Sequence, residues 1–304
     1  MLTQRILAAS IYTVIICISS VGAQSVTQAV GNAGTIDWSE QIIRSTGIGA
    51  PNPNLPEAAQ RASAIEAAKL AALRNLLETI QGMSLTSETT VRNHVIENDV
   101  INTRVRGAVR GFTMVDTRYM STGDIEVTIE IPLSGILSDI LLPQQMGITP
   151  AISGSPGLCP VCRQPWPPGV PVPPGVNLLK SSEAPAAAPA DDGFTGLIVD
   201  ARGLGARPAM APRITDESGT EVYGSKNVSR EWAVKIGMVG YDKDAGQARL
   251  NDRVADNPLV IKALQASGPN KADLIISSQD SQQIQSITST HHFLDKCRVM
   301  FIVD

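Results

Sequence analysis

Residues 41–82 read QIIRSTGIGAPNPNLPEAAQRASAIEAAKLAALRNLLETIQG, and two periodicities meet in them. Gln41 to Gly49 is short, β-branched and ends in glycine, which predicts a strand and a turn. Pro51, Pro53 and Pro56 then forbid regular pairing. From Glu57 to Gln81 there is neither glycine nor proline. Ala58, Ala62, Ile65, Leu73, Leu76, Leu77 and Ile80 recur there at steps of three and four, with Lys69 the one polar member of the stripe. The spacing predicts an amphipathic helix of about seven turns, with Gly82 at its C-cap position. Alanines line its N-terminal half, so it can lie close against a sheet, and that small-residue face reads as core.

Downstream, Ser84 to Thr90 reads as a strand and Val91 to Val100 as a short second helix. Strands follow at Arg110 to Tyr119 and Ile125 to Pro132, joined by the turn Ser121-Thr122-Gly123-Asp124. In the last strand Ile125, Val127, Ile129 and Ile131 alternate with Glu126, Thr128 and Glu130, so one face is buried and one is wet.

The stretch from Gly47 through Val91, followed by VRGAVRGFTMVDTRYMSTGDIEVTIEIPL, resembles the LPP-twenty-type lipoprotein family, which takes in the N-terminal domain of flagellar assembly protein T. The residues that carry the likeness are the Gly47-x-Gly49 turn, the Ala64-x-x-x-Ala68-Lys69-x-x-Ala72 helix ending in Gly82, Arg110-Gly111, and the Tyr119 strand before the Gly123 turn. It covers residues 41–143. The resemblance implies an α+β envelope domain, often associated with the outer membrane, that acts in assembly or adhesion without catalytic residues. The residues agree: His94 is the domain's one histidine, and no nucleophile and base stand together in the sequence.

Arg104, Arg106 and Arg110 share parity along a stretch read as extended, flanked by Arg92 and Arg118. They suggest a basic strand face for an anionic envelope partner. The competing reading is a solvated face balanced by Glu88, Glu97, Asp99 and Asp116, which is the commoner fate of surface arginines.

The first 23 residues read as an export signal. Arg5 gives a positive start, Ile6 to Ile18 is nearly all apolar, and Val21-Gly22-Ala23 carries the small residues at −3 and −1 before a cut near Ala23/Gln24. Thirteen apolar residues are too few to span a hydrocarbon core of ~30 Å. A lipobox takes a small residue before its cysteine, whereas Ile15-Ile16 precede Cys17, so acylation there is disfavoured. Residues 24–40 form an N-terminal extension. The expectation is an exported protein, periplasmic or associated with the outer membrane.

The chain has 304 residues, 25 Lys+Arg against 29 Asp+Glu, and a net charge of −4. That is room for two domains, and the absence of a long basic run argues against nucleic acid. Eleven of the 20 prolines fall between Pro150 and Pro189, marking residues 144–192 as a spacer of polyproline and low-complexity character. Inside it lies Cys159-Pro160-Val161-Cys162. Arg163 stands where a c-type haem motif needs histidine, which excludes haem. Pro165, Pro167 and Pro168 disfavour the helix start of a thioredoxin-like redox pair, the least favoured of three readings that remain. A zinc knuckle would need Cys297, His291 and His292, or a second copy, to complete four ligands. A local disulfide, natural in an oxidising compartment, is preferred and leaves Cys297 unpaired. No other cofactor is expected.

Residues 193–304 read as a second domain, α/β or α+β, with a central apolar sheet. Gly196–Asp200, Asp273–Ser277 and Val299–Val303 are continuous apolar runs of buried strands, and Ile214–Tyr223 is a hairpin around Asp216-Glu217-Ser218-Gly219. Helices are expected at 230–236, 258–266 and 280–290, which would make 273–303 a parallel strand-helix-strand unit. Ser277, Ser278 and Asp280 then lie at a helix start, where Asp280 points to N-capping. Gly203-Leu204-Gly205 lacks the third glycine of a dinucleotide fingerprint, and Asp242-x-Asp244-x-Gly246 fails as a calcium loop. Asp200 and Arg202 are candidates for a pocket after the first strand, against a simpler pairing within the loop. The expected function is a non-enzymatic envelope protein binding other envelope proteins, its own copies or the outer membrane surface. The competing class is a periplasmic ligand binder or hydrolase using the C-terminal domain.

Overall fold

The computed structural model describes residues 24–31, 33–96, 98–144, 146–147, 193–288 and 292–304; the leader, Cys17 and the Cys159/Cys162 motif lie outside them. The N-terminal half comprises β1 (Thr27–Val30), β2 (Gly34–Asp37), β3 (Ile42–Gly49), α1 (Glu57–Gly82), α2 (Val91–Ile96), α3 (Asp99–Val109), β4 (Thr113–Tyr119), β5 (Ile125–Pro132) and α4 (Ile136–Leu141). The C-terminal half comprises β6 (Gly196–Asp200), β7 (Ile214–Asp216), β8 (Glu221–Tyr223), α5 (Arg230–Ile236), β9 (Gly240–Asp242), α6 (Ala245–Leu250), β10 (Pro258–Lys262), β11 (Gln265–Ser267), β12 (Asp273–Ile276), α7 (Ser278–Thr288) and β13 (Val299–Ile302).

The fold is α+β. Its first sheet is antiparallel in the order β1-β2-β3-β5-β4 and is packed by α1. The expected extension at 24–40 therefore contributes two strands. Along β3 the side chains facing the helix shrink from Ile43 through Ser45 to Gly47 and Gly49, all buried. Along α1 the facing residues are Ala64, Ala68, Ala72, Leu76, Thr79 and Ile80. Small meets small where the two backbones touch: a Cβ on Gly47 would collide with the backbone of Ala68 and Ala72, and one on Gly49 would lie 2.5 Å from Ala68 N. Ser45 Oγ donates to Ala72 O at 2.9 Å and Asn75 Nδ2 to Thr46 O at 2.7 Å, tying the pair.

This corrects three expectations. Gly47-x-Gly49 is not a turn but the place in β3 where glycine admits the helix. The buried line of α1 is rotated from the expected stripe: Ala58 and Ala62 are exposed, because the closest approach selects the alanines at strict four-residue steps. Gly82 is helical, and the cap is Met83 in extended conformation.

Residues 84–90 form a loop closed by a Ser84–Thr90 bridge rather than a strand. Thr86 Oγ1 accepts from Glu88 N and Thr89 N, a local turn that competes with extended pairing. Residues 99–109 are helical, with Asn98 as N-cap accepting from Val100 N and Ile101 N. The β5 alternation holds, with Ile125, Val127, Ile129 and Ile131 buried.

The C-terminal half carries two four-stranded sheets. One is parallel throughout, in the order β10-β6-β13-β9. The other has the order β11-β12-β7-β8 and is mixed. The β7–β8 hairpin is as expected. Residues 258–266 are not a helix: Pro258–Lys262 pairs with Gly196–Asp200, and the alternating exposure of Leu259, Val260 and Ile261 shows the period of two. Nor is 273–303 a unit of one sheet, since β12 pairs with β7 and β11 while β13 pairs with β6 and β9.

The halves share one apolar core. Trp38, Tyr241 and Phe301 stack edge to face across it, with centroids 5.7 and 5.9 Å apart. The 84–90 loop is stitched to the C-terminal half by backbone bonds: Met210 N and Ala211 N donate to Ser84 O and Leu85 O, and Asn270 N to Ser87 O. Cys297 is wholly buried beside Tyr223, with φ of 56°.

Candidate functional site

The three arginines proposed as a strand face do not form one. Arg104 and Arg106 lie on α3 and Arg110 is its C-cap. At 100° per residue, positions two apart diverge on a helix where they would have shared a strand face. Arg104 reaches Asp139 Oδ2 at 3.3 Å, and Arg106 Nε donates to Asn102 Oδ1 at 3.1 Å. Asp139 also receives Arg230 Nη1 at 2.5 Å, so Arg104 belongs to a charge cluster that spans the two halves.

Asp200 and Arg202 pair with each other. Arg202 Nε and Nη2 donate to the two carboxylate oxygens at 2.9 and 2.6 Å, and Arg202 N to Oδ1 at 3.2 Å. This fork holds the Asp200 carboxyl below its usual range. The loop-pairing reading therefore describes them. The next residue, Gly203, gives its N–H to Asp304 at 2.8 Å. Ser277 and Asp280 form a reciprocal cap on α7, with Ser277 Oγ 2.7 Å from Asp280 Oδ2 and Asp280 N donating back at 3.0 Å; Ser278 N donates to Glu217. Asp244 caps α6 in the failed calcium motif. Cys159, Cys162 and His291 are outside the described residues. His292 is an exposed neighbour of Asp295, 3.7 Å away, and among the described residues no group of three or more His, Cys, Asp or Glu is placed to hold a metal ion.

The structure brings together groups that no local motif announced. Asp273, with 4% of its side chain exposed, accepts from Ser87 Oγ at 2.6 Å, Arg213 N at 2.8 Å and Arg213 Nε at 2.9 Å. Arg213 also reaches Glu88 at 3.0 Å and is held more firmly protonated by the two carboxylates. The signal for it was a lone carboxylate opening the buried strand DLII, because such a group must find donors. Its partners come from 60 and 186 residues away, so spacing could not supply them.

A cleft of about 450 Å³ opens where the halves meet, lined by Ser39, Glu40, Trp232, Lys235, Asp252, Arg253, Lys296 and Arg298 among others. Arg253 spends its donors on the carbonyls of Ile236, Gly237 and Cys297, and burial lowers its pKa. Among the described residues none of its four cations is ion-paired.

The remaining surface feature is strand β4. It is the edge of the first sheet, and every one of its residues except Thr117 is exposed. Met114, Val115 and Tyr119 are 47, 45 and 58% accessible.

Residues 37–132 match the LPP20 lipoprotein family. Residues 196–304 match the second domain of Treponema pallidum Tp0624. No curated protein matches the chain. The lipoprotein match is in keeping with an exported, envelope-associated protein, and among the described residues no helix is long and apolar enough to cross a membrane. The expected resemblance thus stands over β3 to β5.

Proposed function

We propose that this chain is a non-enzymatic, exported envelope protein that serves as an accessory or scaffold in assembling a cell-surface structure, of the flagellar basal-body kind, by binding other proteins or its own copies. The observation that carries the reading is β4: an edge strand on the lipoprotein-like module with its outer backbone unpaired among the described residues and three apolar side chains accessible. Such a strand is a template for added chains. The mature chain begins near Gln24, after loss of the leader. Cys159 and Cys162 form a local disulfide in preference to half of a zinc site.

The test is fractionation of native envelopes. An assembly factor sediments with large envelope particles and captures their components; recovery solely as a lone soluble chain would overturn the reading. The cleft at the junction favours a second reading, a periplasmic binder of small anions. Its mark is a salt-sensitive rise in melting temperature with pyrophosphate, lost when Lys235 and Lys296 are both neutralised.

A further inference from the structure

The β4 edge is written so that it matches itself in one register. Among the described residues β4 pairs with β5 only, and the pairing breaks at Val115, where a bulge separates Met114 (opposite Ile129) from Asp116 (opposite Thr128). Asp116 and Arg118 lie opposite Thr128 and Glu126 on the wet face, whereas Thr117 and Tyr119 lie opposite Val127 and Ile125 on the helix face. Within the chain Arg118 Nε already donates to Asp116 Oδ2 at 3.0 Å and Arg118 Nη1 lies 3.5 Å from Glu126 Oε1; with 46% and 72% of the Asp116 and Arg118 side chains accessible, this is a solvent-exposed network that a second copy's charges can join.

Consider two copies joined edge to edge by a two-fold axis normal to the sheet, the usual symmetry of a homodimer. Facing residues must then lie on the same face, so an axis through the middle of the usable strand passes through Asp116, Thr117 or Arg118. The axis at Asp116 sets two carboxylates opposite each other, and the axis at Arg118 sets two guanidinium groups opposite each other. Like charges directly opposite are destabilising. The axis at Thr117 places Asp116 of each copy against Arg118 of the other and brings the bulged Val115 near Tyr119; regular pairing ends there, because the bulge puts Met114 on the helix face while Met120 alternates to the wet face. Two opposite-charge pairs form, with exposed Val115 and Tyr119 at either end. Charged residues and a bulge ordinarily blunt an edge. Here the two charges have opposite sign and sit symmetrically about Thr117, so they reject the wrong registers and admit this one.

We propose that β4 pairs antiparallel with β4 of a second copy about Thr117, continuing the five-stranded sheet across two chains. The proposal rests on the scaffold reading for its biological use. It is tested on the purified mature chain, where failure to join envelope particles plays no part.

The chain with Thr117→Cys is oxidised mildly and analysed on non-reducing gels with peptide mass mapping, and Ser121→Cys serves as the off-register control. The expected product is a dimer linked 117 to 117, with the Ser121→Cys chain remaining monomeric. Charge reversal follows. Arg118→Asp or Asp116→Arg alone should cut the Thr117→Cys dimer yield ~tenfold, while mixing the two single variants, or combining them in one chain, should restore it. Both side chains are exposed, and an unchanged melting curve confirms that each variant folds. Equal cross-linking at 117 and 121, or loss of dimer that the mixed variants do not restore, overturns the register. A disulfide from position 117 to Cys159 or Cys162 of the same chain would show that residues 148–192 cover the edge, and would overturn the proposal as well.

Discussion

Replacing Gly47 by alanine should be among the most damaging single methyl additions to this chain. A Cβ there would sit 2.8 Å from Ala71 C, and closer still to Ala72 N and Ala68 O. Carbon atoms rest ~3.5–4.0 Å apart, so β3 and α1 must separate by roughly 1 Å. Neither can give way locally, because the obstructing atoms are backbone in the middle of a 26-residue helix. Overpacking of this kind costs ~1–3 kcal/mol, occasionally more. The separation also strains the Ser45–Ala72 and Asn75–Thr46 bonds, each worth ~1 kcal/mol. A total of ~3–5 kcal/mol is a large part of the ~5–15 kcal/mol that keeps a protein folded. At ~2–4 °C per kcal/mol the melting temperature should fall by about 10 °C. The comparison is Gly107→Ala on α3, where an added Cβ meets nothing within 4 Å and removing a helical glycine gains ~0.5–1 kcal/mol. Thermal unfolding of both variants, followed by circular dichroism, decides the matter. A Gly47→Ala chain that melts within about 2 °C of its parent would refute the idea that β3 and α1 touch backbone to backbone.

Other parts of the structure give further expectations. Asp273→Ala removes the acceptor shared by Ser87 and Arg213, and since Arg213 retains Glu88 and partial hydration the loss should be ~2–3 kcal/mol. Urea midpoints should show it together with new protease sensitivity at residues 84–90, whereas Glu88→Ala, at a 65% exposed side chain, should cost under ~0.5 kcal/mol; equal effects would contradict the burial argument. Arg202 holds the Asp200 carboxyl below its usual range, so the pair's contribution is full above ~pH 4, the unfolded value, and is lost as pH falls through the lower native value. Asp200→Asn should therefore lower the melting temperature at neutral pH and leave it unchanged once the native carboxyl is protonated; the same decrement at both pH values would sink the pairing. For Cys159 and Cys162, the mature protein should carry less than about half an equivalent of zinc and show both thiols blocked to alkylation until reduced, and a full equivalent of zinc would reverse the assignment.

The sequence discloses this fold where periodicity is local. α1, the β5 alternation, the β7–β8 hairpin and the apolar strands β6, β12 and β13 all follow from spacing of two or of three and four. It fails where a tertiary contact chooses between equal local options. The stretch around Arg104 carries β-branched residues at both helical and extended spacing, and the Asn98 cap decides for helix. Residues 258–266 read as a helix until their pairing with β6 is known. Gly47 and Gly49 look like a turn because their real partner is backbone on another element. The polar groups that matter most, Ser87, Arg213 and Asp273, come from three distant segments and carry no motif. The few aromatic residues show the same pattern: α1 and its sheet need none, and Trp38, Tyr241 and Phe301 gather instead where the halves meet.

Burying Cys297 has a consequence for how the exported chain matures. Beyond residue 23 the chain has three cysteines, and three thiols can pair in three ways, only one of which joins Cys159 to Cys162. Burial pushes the Cys297 thiol up to about 11, so at neutral pH only about one molecule in ten thousand carries the reactive thiolate. Once β13 is in place, Cys297 is both walled off from solvent and held in the unreactive thiol form. If the proposed Cys159–Cys162 disulfide is the native one, closing the C-terminal half over Cys297 first protects that pairing, and a chain oxidised earlier would be open to a bond that tethers its last strand in the wrong place.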